Sequence, residues 1–265
     1  MRGKGHIPDP VGHCLTSFDH ASKPIGASAI PDSVDLRPFA PQVMNQLNTS
    51  SCTGHAVSEA IATSLAKAGR PLVFVPSPKG IYDIGRCIDR VNRSIPLTDA
   101  GAMPNQIMRG INEYGVRPIQ APTSDNRYSD CEVATINNEP KLNDIKQDAT
   151  SIVLGQYSIG STYSQRVTDI CLALANGYAV TCSVSAENAT WQNWVPANGP
   201  LGAQSPIALD HYVWIIGYRT VSGKRIFRIR NSWDVNWGDN GEIEVTEDFI
   251  AQIGDIYALS VKVAA

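Results

Sequence analysis

Four residues carry chemistry that makes sense only in combination: Gln46, Cys52, His211 and Asn231. Cys52 follows Ser50 and Ser51, both suited to capping a helix, and precedes an apolar stripe of Ala56, Val57, Ala60, Ile61 and Leu65 that stops near Gly69. The thiol is therefore expected at a helix N-terminus, where the partial positive charge of the helix end favours the nucleophilic thiolate. Taken alone, a cysteine so placed is more often an inert buried side chain. Nucleophilic use requires a base that takes the thiol proton and later delivers it to a leaving group.

The histidines supply the candidates. His6, His13 and His20 lie in the N-terminal stretch, and His55 sits three residues after Cys52 on a neighbouring face of the same helix, where packing is the more natural role. His211 opens Leu209-Asp210-His211-Tyr212-Val213-Trp214-Ile215-Ile216-Gly217-Tyr218, a strand whose polar end can face a cleft while the rest is buried. By itself it could equally be a structural histidine. Asn231-Ser232-Trp233, after the next strand, offers an amide that can accept the second imidazole N–H and orient the ring without adding charge. Trp233 would shield that hydrogen bond from water.

The elements that must position these groups change character along the chain. Helical stripes dominate first: after the Cys52 helix comes one opened by Ser77-Pro78 and carrying Ile81, Ile84, Ile88 and Val91. Another follows Gly101-Ala102-Met103-Pro104 and ends at Tyr114-Gly115. Residues 128–148 are polar and without clear period, and a last stripe (Val167, Ile170, Cys171, Leu174) closes at Asn176-Gly177. Strand-like alternation then takes over at Tyr178–Val184, His211–Tyr218, Ile226–Ile229, Ile243–Val245 and Ile256–Val263. Helices followed by strands indicate an α+β fold of two lobes, with a site between them.

The 265 residues, with a net charge of −3, hold no basic cluster that would mark a nucleic-acid partner and no apolar run long enough to span a membrane. The start, with Arg2 and Lys4 ahead of Gly, His, Pro and Asp, lacks the apolar core of a signal peptide, and location stays open. Six cysteines (14, 52, 87, 131, 171 and 182) leave five if Cys52 is free, an odd set that fixes no redox compartment. The Asn-x-Ser/Thr triplets at Asn48, Asn92 and Asn188 are read as incidental, because a glycan at the first would obstruct the thiol. No metal or cofactor is expected.

In identity and order, Gln46, Cys52, Asp210-His211 before an apolar strand ending in Gly-Tyr, and Asn231-Ser232-Trp233 with Trp237-Gly238 resemble the papain-like cysteine peptidases from about Ile30 to the C-terminus. The resemblance implies a mainly helical lobe (about 43–135) and an antiparallel, barrel-like β lobe (about 136–265 with 30–42), with the cleft between them. It implies that Cys52 attacks the peptide carbonyl, His211 pairs with it and protonates the departing amine, Asn231 orients the ring, and Gln46 with the Cys52 backbone N–H holds the oxyanion. It also makes Gly101, Ala102, Met103 and Pro104 a substrate-binding turn. Met103, Pro104, Leu209 and Ser183 are then expected to line an apolar pocket, with Asp210 and Trp233 beside the substrate.

Departures from the family pattern are equally specific. Thr49 and Thr53 stand where the family has a cysteine and a tryptophan, and Asp99 stands where that cysteine's partner would be, so one family disulfide is absent. Cys87 and Cys131 are displaced counterparts of another pair. The Cys52–His211 spacing exceeds the roughly 130 to 150 residues usual in the family, so loops are inserted. These features look more bacterial or microbial than plant or lysosomal. Residues 1–29 are too short for the family's helical pro-region, but at about 3.3 Å per residue an extended arm can span the cleft, and partial autoinhibition is expected. The function implied is peptide-bond hydrolysis of a peptide or protein substrate. Acyl transfer to an amine by the same site, as in a transpeptidase or ligase, and a non-catalytic peptide-binding module are the alternatives.

Overall fold

The computed structural model of the chain describes residues 2–10, 30–93, 98–119, 149–159, 162–205 and 207–264. Four helices are present where the apolar stripes fall: α1 (Cys52–Lys67), α2 (Pro78–Arg93), α3 (Pro104–Tyr114) and α4 (Tyr163–Ala175). Their ends follow from local chemistry. The Ser77 hydroxyl accepts the Gly80 N–H at 3.0 Å at the head of α2, Pro104 takes the first turn of α3, and Gly115 ends α3 with φ of 75°. At α1 the expected serine cap is not made: Ser51 is the N-cap residue, but its hydroxyl bonds the Thr49 hydroxyl at 2.6 Å instead.

Among the described residues seven strands form one antiparallel sheet: β1 (Ser33–Asp35), β2 (Ile152–Ser158), β3 (Ala179–Val184), β4 (His211–Val221), β5 (Lys224–Arg230), β6 (Glu242–Thr246) and β7 (Gly254–Val263). The pairing path runs β2-β7-β3-β4-β5-β6, with β1 paired to β4, so the sheet is open where the resemblance implied a barrel-like wrap. Strand β2 has no clean alternation, because Gly155 and Gln156 interrupt it. Its partner β7 holds it in place over seven residue pairs, from Ile152↔Val263 to Ser158↔Tyr257.

Two apolar clusters correspond to the two lobes. One is built on α1, α2 and α3 with Tyr212, Tyr257 and Leu259 from the sheet. The other packs α4 and the sheet around Trp191, Trp214, Trp237 and Phe249. Cys52 belongs to the first cluster, while His211 and Asn231 head β4 and follow β5 at the margin of the second. The polar segment 128–148, the proposed Cys131 partner of Cys87, and Cys14, His13 and His20 lie outside the described residues. Among the described residues no helix is long and apolar enough to cross a membrane.

Candidate active site

His211 is positioned by the sheet. It opens β4, pairs with Val184 across β3, and is fully buried. Past the end of the next strand, Asn231 leaves β5, its backbone N–H held by the Gly241 carbonyl at 3.0 Å. The two side chains meet: His211 Nε2 donates to Asn231 Oδ1 at 2.7 Å, and the same oxygen accepts the Ser232 backbone N–H at 2.8 Å, which orients the amide. The neutral imidazole therefore carries its proton on Nε2 and its lone pair on Nδ1, an atom without a hydrogen-bond partner among the described residues. Trp233 stacks on the ring, with centroids 4.8 Å apart and planes 28° apart.

The loop before α1 is stitched to this segment. Gln46 N–H donates to the Ser232 carbonyl, Asp234 N–H donates to the Met44 carbonyl, and the Ser232 hydroxyl donates to Gln46 Oε1 at 2.5 Å. With its oxygen fixed this way, the Gln46 amide nitrogen donates one proton to the Thr49 carbonyl at 2.8 Å and has a second N–H to offer. Asp99 takes over the tie that the missing disulfide would make. Its carboxylate accepts the Ser50 backbone N–H at 2.9 Å and the Tyr82 hydroxyl at 2.9 Å, while its carbonyl accepts the Ser50 hydroxyl at 2.9 Å. The segment leading to Cys52 is thereby anchored to the turn that carries Gly101.

Cys52 is the first residue of α1 and fully buried. Burial pushes its thiol up to about 12, against the pull of the backbone N–H groups of Tyr212 and Thr53 that point at the sulfur. The expectation of a thiolate favoured by the helix end is overridden, since a helix end contributes only about 0.3–1 kcal/mol, too little to offset complete desolvation. Burial likewise pushes His211 down to about 4, with Asn231 pulling the other way. His55 is held by the Ser51 carbonyl at 2.9 Å and is also pushed down to about 4 by burial, in keeping with a packing role.

The chain's own N-terminal arm, residues 2–10, lies across the residues that flank Cys52 and His211. Gly3 N–H donates to the Leu47 carbonyl and the Trp233 indole donates to the Gly3 carbonyl, both at 2.9 Å. Farther along, Gly5 and His6 N–H face the Asp210 carbonyl at 3.2 Å. Ala102 N–H donates to the Gly5 carbonyl at 3.0 Å, and Ile7 N–H donates to the Ala102 carbonyl at 3.2 Å. Fit is close enough to demand glycine: a Cβ on Gly3 would lie 2.0 Å from the Thr49 carbonyl oxygen, and one on Gly101 would lie 2.2 Å from that of Gly5. Lys4 bridges Glu187 and Asp210 at 2.7 and 2.8 Å.

Of the residues singled out in the sequence, Gln46, Asn231 and His211 are joined through Ser232. Gly101, Ala102, Asp210, Leu209 and Trp233 all touch the arm. Met103 is buried at the N-cap of α3, with Pro104 beginning the helix. Ser232, Tyr212, Asp255, Tyr257 and Glu187 complete the site without having been singled out. Ser232 alone had a local signal, its place in the Asn-Ser-Trp run.

A model of the papain family of cysteine proteases matches residues 30–256. Among solved structures, xylellain, a cysteine protease from Xylella fastidiosa, superposes over 100% of this chain and 97% of its own with a TM-score of 0.69 at 23% identity, a likeness of fold. Fruit bromelain of Ananas comosus is 26% identical over 246 residues, 91% of this chain and 60% of bromelain. The probable cysteine protease RDL2 of Arabidopsis thaliana is 35% identical over 66 residues, which is 25% of this chain and 18% of the plant protein. The chain thus spans less than two thirds of these two relatives.

Proposed function

The chain belongs to the papain family of cysteine proteases, and from that premise we propose that it is a thiol endopeptidase acting through Cys52, His211, Asn231 and Gln46 and restrained by its N-terminal arm. The observation that carries the reading is the 2.7 Å bond from His211 Nε2 to Asn231 Oδ1, which holds the ring in one tautomer and leaves the Nδ1 lone pair spare. A base so oriented is what a thiol nucleophile needs.

In the reaction, Nδ1 takes the Cys52 proton and the sulfur attacks the substrate carbonyl carbon. The oxyanion that forms is held by the Cys52 backbone N–H and the second N–H of Gln46. His211 then returns the proton to the amine as the C–N bond breaks, leaving an acyl thioester. Water, deprotonated by the same nitrogen, attacks the thioester and releases the acid and the thiol. Trp233 keeps water from the His211–Asn231 bond, and an extended substrate pairs with Ala102 and Asp210.

Under the docked arm this sequence is held back in part, because burial keeps both thiol and imidazole neutral and the arm occupies the main-chain groups of Ala102 and Asp210, so the full chain turns over only while its arm is undocked. Residues 1–29 are assigned as an inhibitory segment and 30–265 as the peptidase domain, with lobes of about 43–135 and about 136–265 plus 30–42. Departure of the arm returns water to the cleft and with it access to the thiolate–imidazolium pair. Deleting residues 1–29 is expected to raise kcat/KM on a small peptide substrate, and unchanged kinetics would reject the restraint.

A further inference from the structure

The side chain of His6 is fully enclosed at the cleft wall, and its surroundings are polar where the sequence suggested an apolar pocket. Its Nδ1 lies 2.8 Å from the Leu209 carbonyl oxygen and its Nε2 lies 2.7 Å from Asp255 Oδ2, while the ring stacks on Tyr212 with centroids 5.6 Å apart and planes 11° apart. A carbonyl and a carboxylate both accept, so the ring that satisfies both is one that donates from both nitrogens, an imidazolium. Asp255 is aimed here by an unusual backbone. Its φ of 37° lies in the left-handed region, and the β3–β7 register shifts between Thr181 and Ser183, beside the Ser183↔Gly254 pair.

A Cβ on Gly254 would lie 2.6 Å from Leu209 Cδ1 and 3.0 Å from Ser183 Oγ, a buried hydroxyl with no partner among the described residues. The backbone on either side of His6 uses the N–H and C=O of Ala102, the groups an extended substrate would use. His6 therefore occupies the position at which a peptide paired with Ala102 projects its side chain.

We propose that Asp255 is a specificity-determining residue and that the enzyme takes peptides bearing a basic side chain, histidine, arginine or lysine, at the residue paired with Ala102. The arm holds this pocket by offering the same chemistry from within the chain. This assignment rests on the peptidase reading above.

Matched peptides differing only at that residue, cleaved by the full-length protein and by its Asp255→Asn variant, test it. Asn tolerates the left-handed backbone and removes the charge. The wild type is expected to prefer a basic residue over leucine by about tenfold or more in kcat/KM, a ratio that falls towards one in the variant. The His6 ring nitrogens, read by nitrogen NMR in the full chain, are expected to be those of a doubly protonated ring in the wild type and to lose that signature in Asp255→Asn. A leucine preference, a ratio unmoved by Asp255→Asn, or a neutral His6 ring in the wild type overturns the assignment alone. Failure to cleave any peptide while the ring behaves as expected overturns the peptidase reading, and the substrate assignment with it.

Discussion

The His211–Asn231 pair has two covers, and they differ in kind. Behind it stands an aromatic wall: Trp233 stacks on His211 and meets Trp237 edge-on at 5.5 Å, and Trp237 in turn packs on Trp191, which stacks on Phe249 at 5.7 Å. In front lies the arm, held by backbone hydrogen bonds, Lys4 with two carboxylates, and the polar cluster of His6, Asp9, Asp255 and Tyr257. Water can replace the arm's contacts group for group, whereas exposing the wall costs hydrophobic burial that water does not return. The wall is thus part of the fold, and under the function proposed above the arm is a removable lid over the His211–Asn231 pair.

Substitutions that separate the two covers should differ most in stability. Trp191→Ala, at the centre of the wall, is expected to cost about 3–5 kcal/mol of unfolding free energy by denaturant titration. A loss under 1 kcal/mol would mean that the wall is no more integral than the arm.

A smaller effect comes from pH and falls on the arm alone. Burial raises the Asp9 carboxyl from its ordinary 3.8 to about 6. The Tyr257 hydroxyl, the Asn105 N–H and His6 pull it down, and neighbouring Asp255 pushes it up. The docked arm therefore holds a proton that a free arm releases. This contribution to docking is fully present below 3.8 and is lost as pH rises through about 6. Amide resonances of Gly5 and Ile7 should move towards free-arm positions as pH rises from 3.8 through about 6, and Asp9→Asn should flatten that change. Lys4→Ala is the mildest test. Its two ion pairs are partly exposed, so overall stability should change by no more than about 1 kcal/mol, while the arm's amide hydrogens exchange faster.

Much of this arrangement was legible in the chain. Helices α1 to α4 announce themselves by apolar spacing and by stops at Gly69, Tyr114-Gly115 and Asn176-Gly177, because those signals are local. The candidate quartet was legible because its residue types are few and come in a telling order. Strand β2 was not, since Gly155 and Gln156 break its alternation and only pairing with β7 makes it a strand. Nor were the tie from Ser50 to Asp99 or the bond from His6 to Asp255, which join residues 49 and 249 positions apart and leave no periodic trace. The thiol expected to be depressed at the start of α1 is instead pushed up by burial, for a related reason: a helix end is visible in sequence, but burial comes from tertiary packing.

The central claim, an assembled Cys–His–Asn site under a removable lid, is tested most directly by alkylating Cys52 with iodoacetamide near pH 6 in the full chain and in the chain lacking residues 1–29. Slow labelling with the arm, fast stoichiometric labelling without it, and loss of the fast reaction in His211→Ala are the results expected. Equal labelling rates with and without the arm, or fast labelling that survives His211→Ala, would contradict the account.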